Sequence, residues 1–180
     1  AAKVDEILEI VGEYCYGVND DSLTSKMVEM LRDNRLTIAA AESLTAGLFM
    51  SELAEIPGVS SVLAGGMVVY NEEMKIEQLG VNPATIAEHT VVSSECAGEM
   101  AFKVREKFGS HIGIGLTGAA GPEPHGNEPA GTVWIGLSIG QEQPKTYKLQ
   151  LKGTRNTNRL RSVKFAFSFI MRELREKGYQ

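Results

Sequence analysis

The sequence predicts an α/β protein, a three-layer α/β/α sandwich around a mixed sheet. Short apolar runs typical of buried strands alternate with segments whose apolar residues recur at helical spacing. This alternation predicts a sheet with helices on both faces. The last two predicted strands, 132–139 and 146–151, are joined by a connection too short for a parallel crossover. They should therefore be antiparallel, which makes the sheet mixed.

The first quarter of the chain predicts two helices and a strand. Residues 3–15 have an amphipathic pattern, interpreted as an extra N-terminal helix within residues 1–20. A second helix should stop at Asn34. Its apolar face carries Leu23, Met27, Met30 and Leu31. The apolar run 36–41 predicts the first strand, and a helix ending near Glu55 follows it.

The middle of the chain predicts a strand over 62–70 and three further helices. Each helix opens on a residue that commonly caps helices, namely Asn71, Asn82 or Ser93. Gly80 should end the first of them. The buried stripe of the third helix is predicted to contain Ala97, Met100, Ala101, Val104 and Phe108.

The last third predicts a strand over 111–116 that runs into a glycine-rich turn over 117–122. A polar loop, 123–130, has neither helical nor strand periodicity. After the final two strands, a turn over 153–158 leads into the last helix. The inward residues of that helix are predicted to be Leu160, Val163, Phe167, Ile170, Met171 and Leu174.

Composition excludes several classes of protein. The length of 180 residues, with 43% hydrophobic and 23% charged residues, predicts a single globular domain over residues 1–180. A net charge of −5 without a basic run argues against a nucleic-acid partner. No apolar run is long enough for a membrane span, and the N-terminus does not resemble a signal peptide. We therefore expect a cytoplasmic protein, which could be a monomer or a homo-oligomer.

Cofactors and metals are not expected. Cys15 and Cys96 are isolated, and the three histidines lie far apart without ligand spacing. The pattern therefore predicts no metal site and no bound cofactor.

The turn after the first strand is the main candidate site. Ser43 lies between that strand and the next helix, where free backbone N–H groups and the helix dipole favour an anion. The serine could be a phosphate ligand, a helix cap or a nucleophile. Its neighbour Glu42 could position a substrate hydroxyl or amide, or could cap a backbone N–H.

Two residues of the next strand–helix unit could activate this serine. No histidine lies in a recognisable turn nearby, so a Ser-His-Asp triad is poorly supported. Lys75 could act as a base if burial lowered its pKa from about 10.4, and Tyr70 could lie near its ammonium group. Taken singly, they could equally be a surface lysine and a half-buried tyrosine. Ser43, Tyr70 and Thr117 all lie at strand ends, where sites gather in α/β folds.

Two further segments could bind an anion. The turn at 117–121 could present backbone N–H groups to an oxyanion or a phosphate, or could simply be a tight turn. Arg155 and Arg159 lie one helical turn apart and could bind a phosphate, or both could be solvated.

Together these motifs resemble the C-terminal domain of the competence/damage-inducible CinA family. Its signature Ala-Glu-Ser-Cys-Thr-Gly-Gly is matched by residues 41–47. Its Tyr-Ser-Asn-x-x-Lys motif is matched by residues 70–75, and its Thr/Ser-Gly-Ile-Ala-Gly-Pro turn by residues 117–122. The match covers roughly residues 22–175. The resemblance implies a CinA C-terminal-domain-like fold.

Characterised members of this family are nicotinamide-nucleotide amidases. They hydrolyse nicotinamide mononucleotide to nicotinate mononucleotide and ammonia. The resemblance implies that Ser43 is the nucleophile and that Tyr70 and Lys75 are its activating partners. The substrate, a small nucleotide, is expected to contact Glu42, Thr45, Gly47, Thr117, Gly118, Ala119, Arg155 and Arg159.

The chain also departs from the family pattern. Leu44 replaces a cysteine, and Ala46 replaces a glycine where the backbone could need to approach a ligand. The segment 123–128 replaces a glycine-rich continuation. The alternative to an amidase is therefore a relative that binds a nucleotide or a protein partner without turnover.

Overall fold

The computed structural model describes residues 22–179, and a mixed five-stranded sheet organises them. The strands, in the spatial order β2-β1-β3-β4-β5, are β1 (Ile38–Glu42), β2 (Leu63–Val68), β3 (Ile112–Gly118), β4 (Thr132–Ile139) and β5 (Lys145–Gln150). Strand β1 is parallel to both of its neighbours, and β4 is antiparallel to both β3 and β5. The predicted mixed sheet is confirmed, and the carboxyl ends of β1, β2 and β3 meet at one edge.

Helices cover both faces of this sheet, as predicted. They are α1 (Leu23–Asp33), α2 (Leu48–Ala54), α3 (Glu72–Met74), α4 (Pro83–His89), α5 (Ser94–Phe108) and α6 (Arg155–Glu176). Helices α1, α2 and α6 pack together on one face, and α5 packs on the other. A π-helical segment, Lys75–Leu79, continues α3. None of the helices described between residues 22 and 179 combines the length and apolar character needed to cross a lipid bilayer.

Strand β1 supplies both hydrophobic cores because its side chains alternate between the faces. Ile38 and Ala40 pack in the core under α1, α2 and α6, whereas Ala39 and Ala41 pack in the core under α5. All five residues of β1 are buried. The strand that leads to Ser43 is therefore fixed from both sides.

Helix α5 lies unusually close to the sheet because three glycines face it. A Cβ on Gly115 would lie 2.4 Å from the carbonyl oxygen of Ala97, and one on Gly136 would lie 2.0 Å from the same atom. Gly113 similarly faces the carbonyl oxygen of Ala101, at 2.1 Å from its hypothetical Cβ. The small residues of β3 and β4 thus set the distance between these two layers.

The predicted capping residues are confirmed. The side chains of Asn71, Asn82 and Ser93 each accept a backbone N–H from the first turn of their helix. Asn34 follows the last residue of α1, and Gly80 ends the π-helical segment in a left-handed conformation. These boundaries could be predicted because local hydrogen bonds determine them.

Two predicted boundaries and one predicted buried residue are wrong. Strand β3 continues to Gly118, so Thr117 and Gly118 belong to the strand rather than to the following turn. Helix α6 begins at Arg155, inside the predicted turn 153–158, because Thr154 accepts the Thr157 N–H and caps the helix there. Phe108, predicted to be buried, is only partly buried.

Leu160 was predicted to point inward but is 46% exposed. The buried face at this end of α6 passes through Asn158 and Ser162. Each of these is two residues from Leu160, a rotation of about 200° around the helix. The predicted N-terminal helix within residues 1–20 lies outside the described residues.

Candidate active site

Ser43 directly follows β1 at the carboxyl edge of the sheet. Its backbone N–H donates to the carbonyl oxygen of Leu116 at 2.9 Å, which continues the pairing of β1 with β3 by one residue. The chain then turns into α2, whose N-cap is Gly47, with φ of +93° and no side-chain cap. The serine is therefore not a helix cap, and its hydroxyl is free for other contacts.

Glu42 fills the position where we expected an external anion. Its fully buried carboxylate accepts the backbone N–H groups of Gly47 at 2.9 Å, Phe49 at 3.0 Å and Met50 at 3.0 Å. These are the unpaired donors at the start of α2, and a buried carboxylate needs such partners. The expected anion site at this helix is therefore wrong, and of the two roles considered for Glu42 the structure shows the cap.

Lys75 lies beside Ser43 and is only 1% exposed. Its Nζ atom donates to Ser43 Oγ at 3.0 Å and to the carbonyl oxygens of Val69 at 2.9 Å and Tyr70 at 3.4 Å. The π-helical segment begins at this residue, and such segments are frequent at functional sites. A surface position for this lysine is therefore wrong.

The surroundings of Lys75 favour its neutral form. Burial lowers the pKa of the ammonium group below its ordinary value, while Cys96 and Glu72 oppose that shift. A neutral amine has two N–H donors and one lone pair. In the structure Nζ donates to both carbonyls and to Ser43 Oγ, and the Ser43 hydroxyl itself donates to the Tyr70 carbonyl. Loss of one proton from Nζ would free a lone pair beside Ser43 Oγ, and that lone pair could accept the hydroxyl proton.

Tyr70 contributes its backbone and its side chain to different neighbours. Its carbonyl oxygen accepts a hydrogen bond from Ser43 Oγ at 3.2 Å. Its side chain is on the outside, the residue being 52% exposed, and its hydroxyl lies 2.6 Å from Arg155 Nη2. The tyrosine hydroxyl therefore pairs with the arginine, and the backbone carbonyl contacts the Ser43–Lys75 pair.

A cavity of about 560 Å³ opens above this pair. Of the predicted site residues, its wall contains Ser43, Tyr70, Lys75, Thr117, Gly118, Ala119 and Arg155. Residues 123–125, from the segment that departs from the family pattern, also line it. The cavity thus brings together seven of the eleven predicted residues, from four separate parts of the chain.

Some hydrogen-bond donors of the 117–121 segment already have acceptors within the protein. Thr117 Oγ1 donates to the carbonyl oxygen of Val91 at 2.6 Å, and the Ala119 N–H donates to that of Thr132 at 2.8 Å. By contrast, the backbone N–H groups of Ala120 and Gly121 have no acceptor within residues 22–179. The donors available to a ligand therefore lie at the end of the turn.

The two predicted arginines have different environments. Arg155 lines the cavity and donates from Nη1 to the carbonyl oxygen of Gly121 at 3.0 Å. Arg159 does not line it, and instead donates to the carbonyl oxygens of Leu44 at 2.9 Å and Thr45 at 3.0 Å. The structure thus places Arg155 at the site and Arg159 behind it.

The remaining predicted contacts also lie outside the cavity wall. Glu42, Thr45 and Gly47 form the buried side of the turn after Ser43. The Thr45 side chain is fully buried, and its Oγ1 has no hydrogen-bond partner within the described part of the chain. These residues shape the turn that carries Ser43.

No motif or spacing in the sequence indicated a role for Asn158. This buried side chain donates from Nδ2 to the carbonyl oxygens of Ala120 at 3.0 Å and Gly153 at 3.3 Å. It therefore fixes the end of the turn in the cavity wall. A polar residue in the first turn of a helix is usually solvated, so only its contacts reveal this role.

No metal-binding group is found among residues 22–179. The described histidine, cysteine and acidic side chains form no cluster of three or more that could hold a metal ion. The polar groups around the cavity are a serine, a lysine, an arginine and backbone amides.

The fold and the site together define an α/β protein with a buried serine–lysine pair at the carboxyl edge of a mixed sheet. The chain belongs to the family described as the CinA C-terminal domain, whose sequence pattern matches residues 20–174. The family suggested by the motifs is therefore confirmed.

Relatives in several bacteria carry names that refer to competence and damage. A protein of Lysinibacillus sphaericus with the name competence-damage inducible protein is 61% identical over 179 residues, which is 99% of this chain and 43% of that protein. A Listeria welshimeri protein of the same name is 47% identical over 92% of this chain and 40% of its own length. The chain thus spans less than half the length of these relatives.

Solved structures of the family share the fold. A CinA superfamily protein from Klebsiella pneumoniae matches with a TM-score of 0.83 and 28% identity, over 86% of this chain and 96% of its own. A competence or damage-inducible protein from Enterobacter asburiae matches with a TM-score of 0.82 and 31% identity, over 84% and 96%. Nearly the whole of each solved chain therefore aligns with this chain.

Proposed function

We propose that the protein is a nicotinamide-nucleotide amidase, which converts nicotinamide mononucleotide and water into nicotinate mononucleotide and ammonia. The observation that supports this most is the 3.0 Å contact between the buried Lys75 amine and the Ser43 hydroxyl on the cavity wall. A serine hydroxyl is a weak nucleophile until a base takes its proton, and a desolvated lysine is such a base.

The reaction proceeds through an ester on Ser43. Neutral Lys75 takes the hydroxyl proton as Oγ attacks the carboxamide carbon, which gives a tetrahedral oxyanion. The lysine then gives that proton to the departing nitrogen, and ammonia leaves. Water, deprotonated by the same amine, attacks the ester and releases the carboxylic acid and the free serine.

Backbone N–H groups supply the oxyanion contacts in this proposal. Leu44 lines the cavity next to Ser43, and its N–H has no acceptor within residues 22–179. The residue after a nucleophilic serine often donates to the oxyanion in other α/β hydrolases. Such a fixed donor in a water-poor site stabilises charge that develops in the transition state.

Arg155 is suited to the phosphate of the substrate. Its guanidinium lies at the outer end of the Tyr70 side chain, and the Tyr70 carbonyl lies at Ser43. The length of a tyrosine side chain therefore separates the cation from the nucleophile. A mononucleotide has the matching arrangement, with a phosphate at one end and a carboxamide at the other.

An ammonia-release assay tests the proposal. Purified protein incubated with nicotinamide mononucleotide should release ammonia and nicotinate mononucleotide in equal amounts. Ser43→Ala should abolish both products, whereas Ser51→Ala, an exposed position on α2, should not change the rate. Activity that survives Ser43→Ala would rule out this nucleophile.

The alternative is a relative that binds a nucleotide without hydrolysing it. It is favoured by one observation, that Glu123, Pro124 and His125 of the divergent segment line the cavity. Calorimetric titration with nicotinamide mononucleotide distinguishes the two functions. Binding without ammonia release would support the alternative and contradict the amidase.

A further inference from the structure

Arg159 forms an unusual attachment to the chain directly after the nucleophile. Its Nε donates to the Leu44 carbonyl at 2.9 Å, and its Nη2 donates to the Thr45 carbonyl at 3.0 Å. The third nitrogen, Nη1, is 3.3 Å from Asn156 Oδ1. All three nitrogens of this guanidinium are therefore engaged within the protein, and two of them hold consecutive peptide groups.

Holding a carbonyl also orients the N–H on the same peptide. In a planar trans peptide the C=O and N–H point in opposite directions. The Leu44 carbonyl points toward α6, so the Thr45 N–H points away from that helix. One peptide earlier, the Ser43 carbonyl accepts the Ala46 N–H at 3.1 Å, which fixes the Leu44 N–H on the opposite side.

The backbone N–H groups of Leu44 and Thr45, which are oriented in this way, are unpaired within residues 22–179. Neither the Leu44 nor the Thr45 N–H has an acceptor within residues 22–179, although Leu44 is only 3% exposed and Thr45 is fully buried. Buried backbone donors are almost always paired. An unpaired N–H beside the Ser43 hydroxyl, on the wall of a cavity, is suited to an oxygen of a bound ligand.

The positive charge of Arg159 adds to this effect. A cation on the carbonyl side of a peptide polarises that peptide, which strengthens the hydrogen bond that its N–H can donate. The guanidinium reaches the turn from behind, so it exerts this effect without lining the cavity. Its position is consistent with support of the turn and not with direct contact with a phosphate.

We propose that Arg159 is a positioning residue, which holds the Leu44–Thr45 backbone so that the Leu44 N–H on the cavity wall stabilises the oxyanion formed at Ser43. The inference rests on the proposed amidase function. It assigns the two arginines of α6 to different tasks, with Arg155 binding the substrate and Arg159 setting the geometry of the reaction. A contact needed only in the transition state affects kcat and leaves KM nearly unchanged.

The test compares Arg159→Ala, Arg159→Lys and the control Arg161→Ala. Arg161 lies on the same helix, is exposed and, among residues 22–179, donates only to the Lys152 carbonyl. We expect Arg159→Ala to lower kcat by about a hundredfold to a thousandfold, the loss typical of one oxyanion donor. KM should stay nearly constant, and the loss should be equal for nicotinamide mononucleotide and nicotinamide riboside. The lysine variant should recover part of kcat, because one ammonium can still hold a carbonyl.

A measurement that does not depend on turnover accompanies the kinetics. Amide hydrogen exchange of Ala46, whose N–H is bonded to Ser43, should become faster in Arg159→Ala. Exchange in the middle of α6 should not change. If the alanine variant does not fold, the lysine variant and its exchange rates provide the same comparison.

The outcomes separate this inference from the function on which it rests. No ammonia from wild type and Arg161→Ala alike would overturn the amidase proposal and, with it, this role for Arg159. An active wild type with unchanged kcat in Arg159→Ala would overturn the positioning role alone. A rise in KM for the mononucleotide only would show that Arg159 binds the phosphate instead.

Discussion

At the scale of single residues, the fully buried lysine is the most informative feature. Burying an ammonium group is unfavourable unless it is paired, and two backbone carbonyls and one hydroxyl only partly compensate here. Burial accordingly lowers the pKa of Lys75. Burying such a group lowers the stability of the fold, and losses of this kind are common at active sites.

Replacement of Lys75 should separate activity from stability. Lys75→Met keeps a similar shape and removes the amine, so ammonia release should fall by at least about a hundredfold, the usual effect of losing an acid–base group. Substrate binding should change far less. The melting temperature should stay the same or rise, because no charge remains to be desolvated. Calorimetry, thermal unfolding and the ammonia assay test these points, and normal turnover would remove Lys75 from the mechanism.

The pH dependence of kcat/KM should follow the same lysine. Only the neutral amine can take the Ser43 proton, so activity should rise with pH through the pKa of Lys75 and then level off. Because burial lowers this pKa, the midpoint should lie below the ordinary value of 10.5. Glu72 opposes the shift, so Glu72→Gln should move the midpoint to lower pH. A midpoint that does not move would show that another group controls the profile.

Loss of the Arg155 guanidinium should weaken binding of the phosphate. A charge-assisted hydrogen bond contributes roughly 1.5–3 kcal/mol, so Arg155→Ala should raise KM for the mononucleotide about tenfold to a hundredfold. Nicotinamide riboside lacks the phosphate and should be hardly affected. Steady-state kinetics with both substrates measure the difference. Equal losses on both would mean that Arg155 serves the structure through Gly121 and Tyr70.

At the scale of elements, the contact between α5 and the sheet determines the position of the base. Helix α5 packs against β1, β3 and β4, and also contacts the π-helical segment that contains Lys75. Cys96 of this helix lies close enough to influence the lysine, and burial raises the pKa of its thiol to about 11. The glycines of β3 set the distance between the sheet and α5, and through this helix they affect the position of Lys75.

Two glycine substitutions at this interface should have opposite effects. Gly115→Ala would place a methyl group 2.4 Å from the Ala97 carbonyl, and such overpacking costs about 1–3 kcal/mol. Gly98→Ala lies within α5, where the added methyl group would meet only side-chain carbons, Thr146 Cγ2 at 3.3 Å and Pro144 Cβ at 3.6 Å, and alanine favours a helix interior by up to about 1 kcal/mol. Thermal unfolding should show a loss for the first and no loss for the second. Equal stability would mean that the two layers can move apart freely.

At the scale of the whole molecule, α6 connects the site with the opposite end of the sheet. At the start of α6, Arg155, Asn158 and Arg159 donate hydrogen bonds to backbone carbonyls of the turns that border the cavity. Near its other end, the Glu173 carboxylate accepts hydrogen bonds from Lys145 and Tyr147 of β5. Burial and the hydrogen bond to Glu173 raise the pKa of Tyr147 to about 12. Helix α6 thus contacts the cavity wall at its start and strand β5 near its end.

Glu173→Gln should lower stability without lowering kcat. Burial alone would raise the pKa of Glu173, but the hydrogen bonds from Lys145 and Tyr147 outweigh it, so the folded-state pKa is below its ordinary value. The carboxylate therefore stabilises the fold above the unfolded pKa of about 4.3, and the contribution disappears as pH falls through the folded value. Thermal unfolding at neutral and acidic pH should show a difference of about 1–3 kcal/mol that vanishes in acid. A difference that persists in acid would point to packing instead.

The sequence by itself determined the elements and the family. Strand and helix patterns, the caps at Asn71, Asn82 and Ser93, and the antiparallel last strands could be predicted because they depend on side-chain period and local hydrogen bonds. The motifs also contained seven residues that meet around the cavity, together with four that lie outside its wall. Neighbours along the chain carry this information, so no distant contact was needed to find it.

Only the tertiary structure decided what each of those residues touches. Glu42 caps a helix, the Tyr70 hydroxyl pairs with Arg155, and Arg159 holds the backbone behind Ser43. Leu160 faces outward because the buried face of α6 is set by its contacts with the site. These roles depend on groups that lie 85 and 115 positions apart in the chain, for Tyr70 with Arg155 and Leu44 with Arg159. A local pattern contains no information about such distant partners, because the packing of the layers alone brings them together.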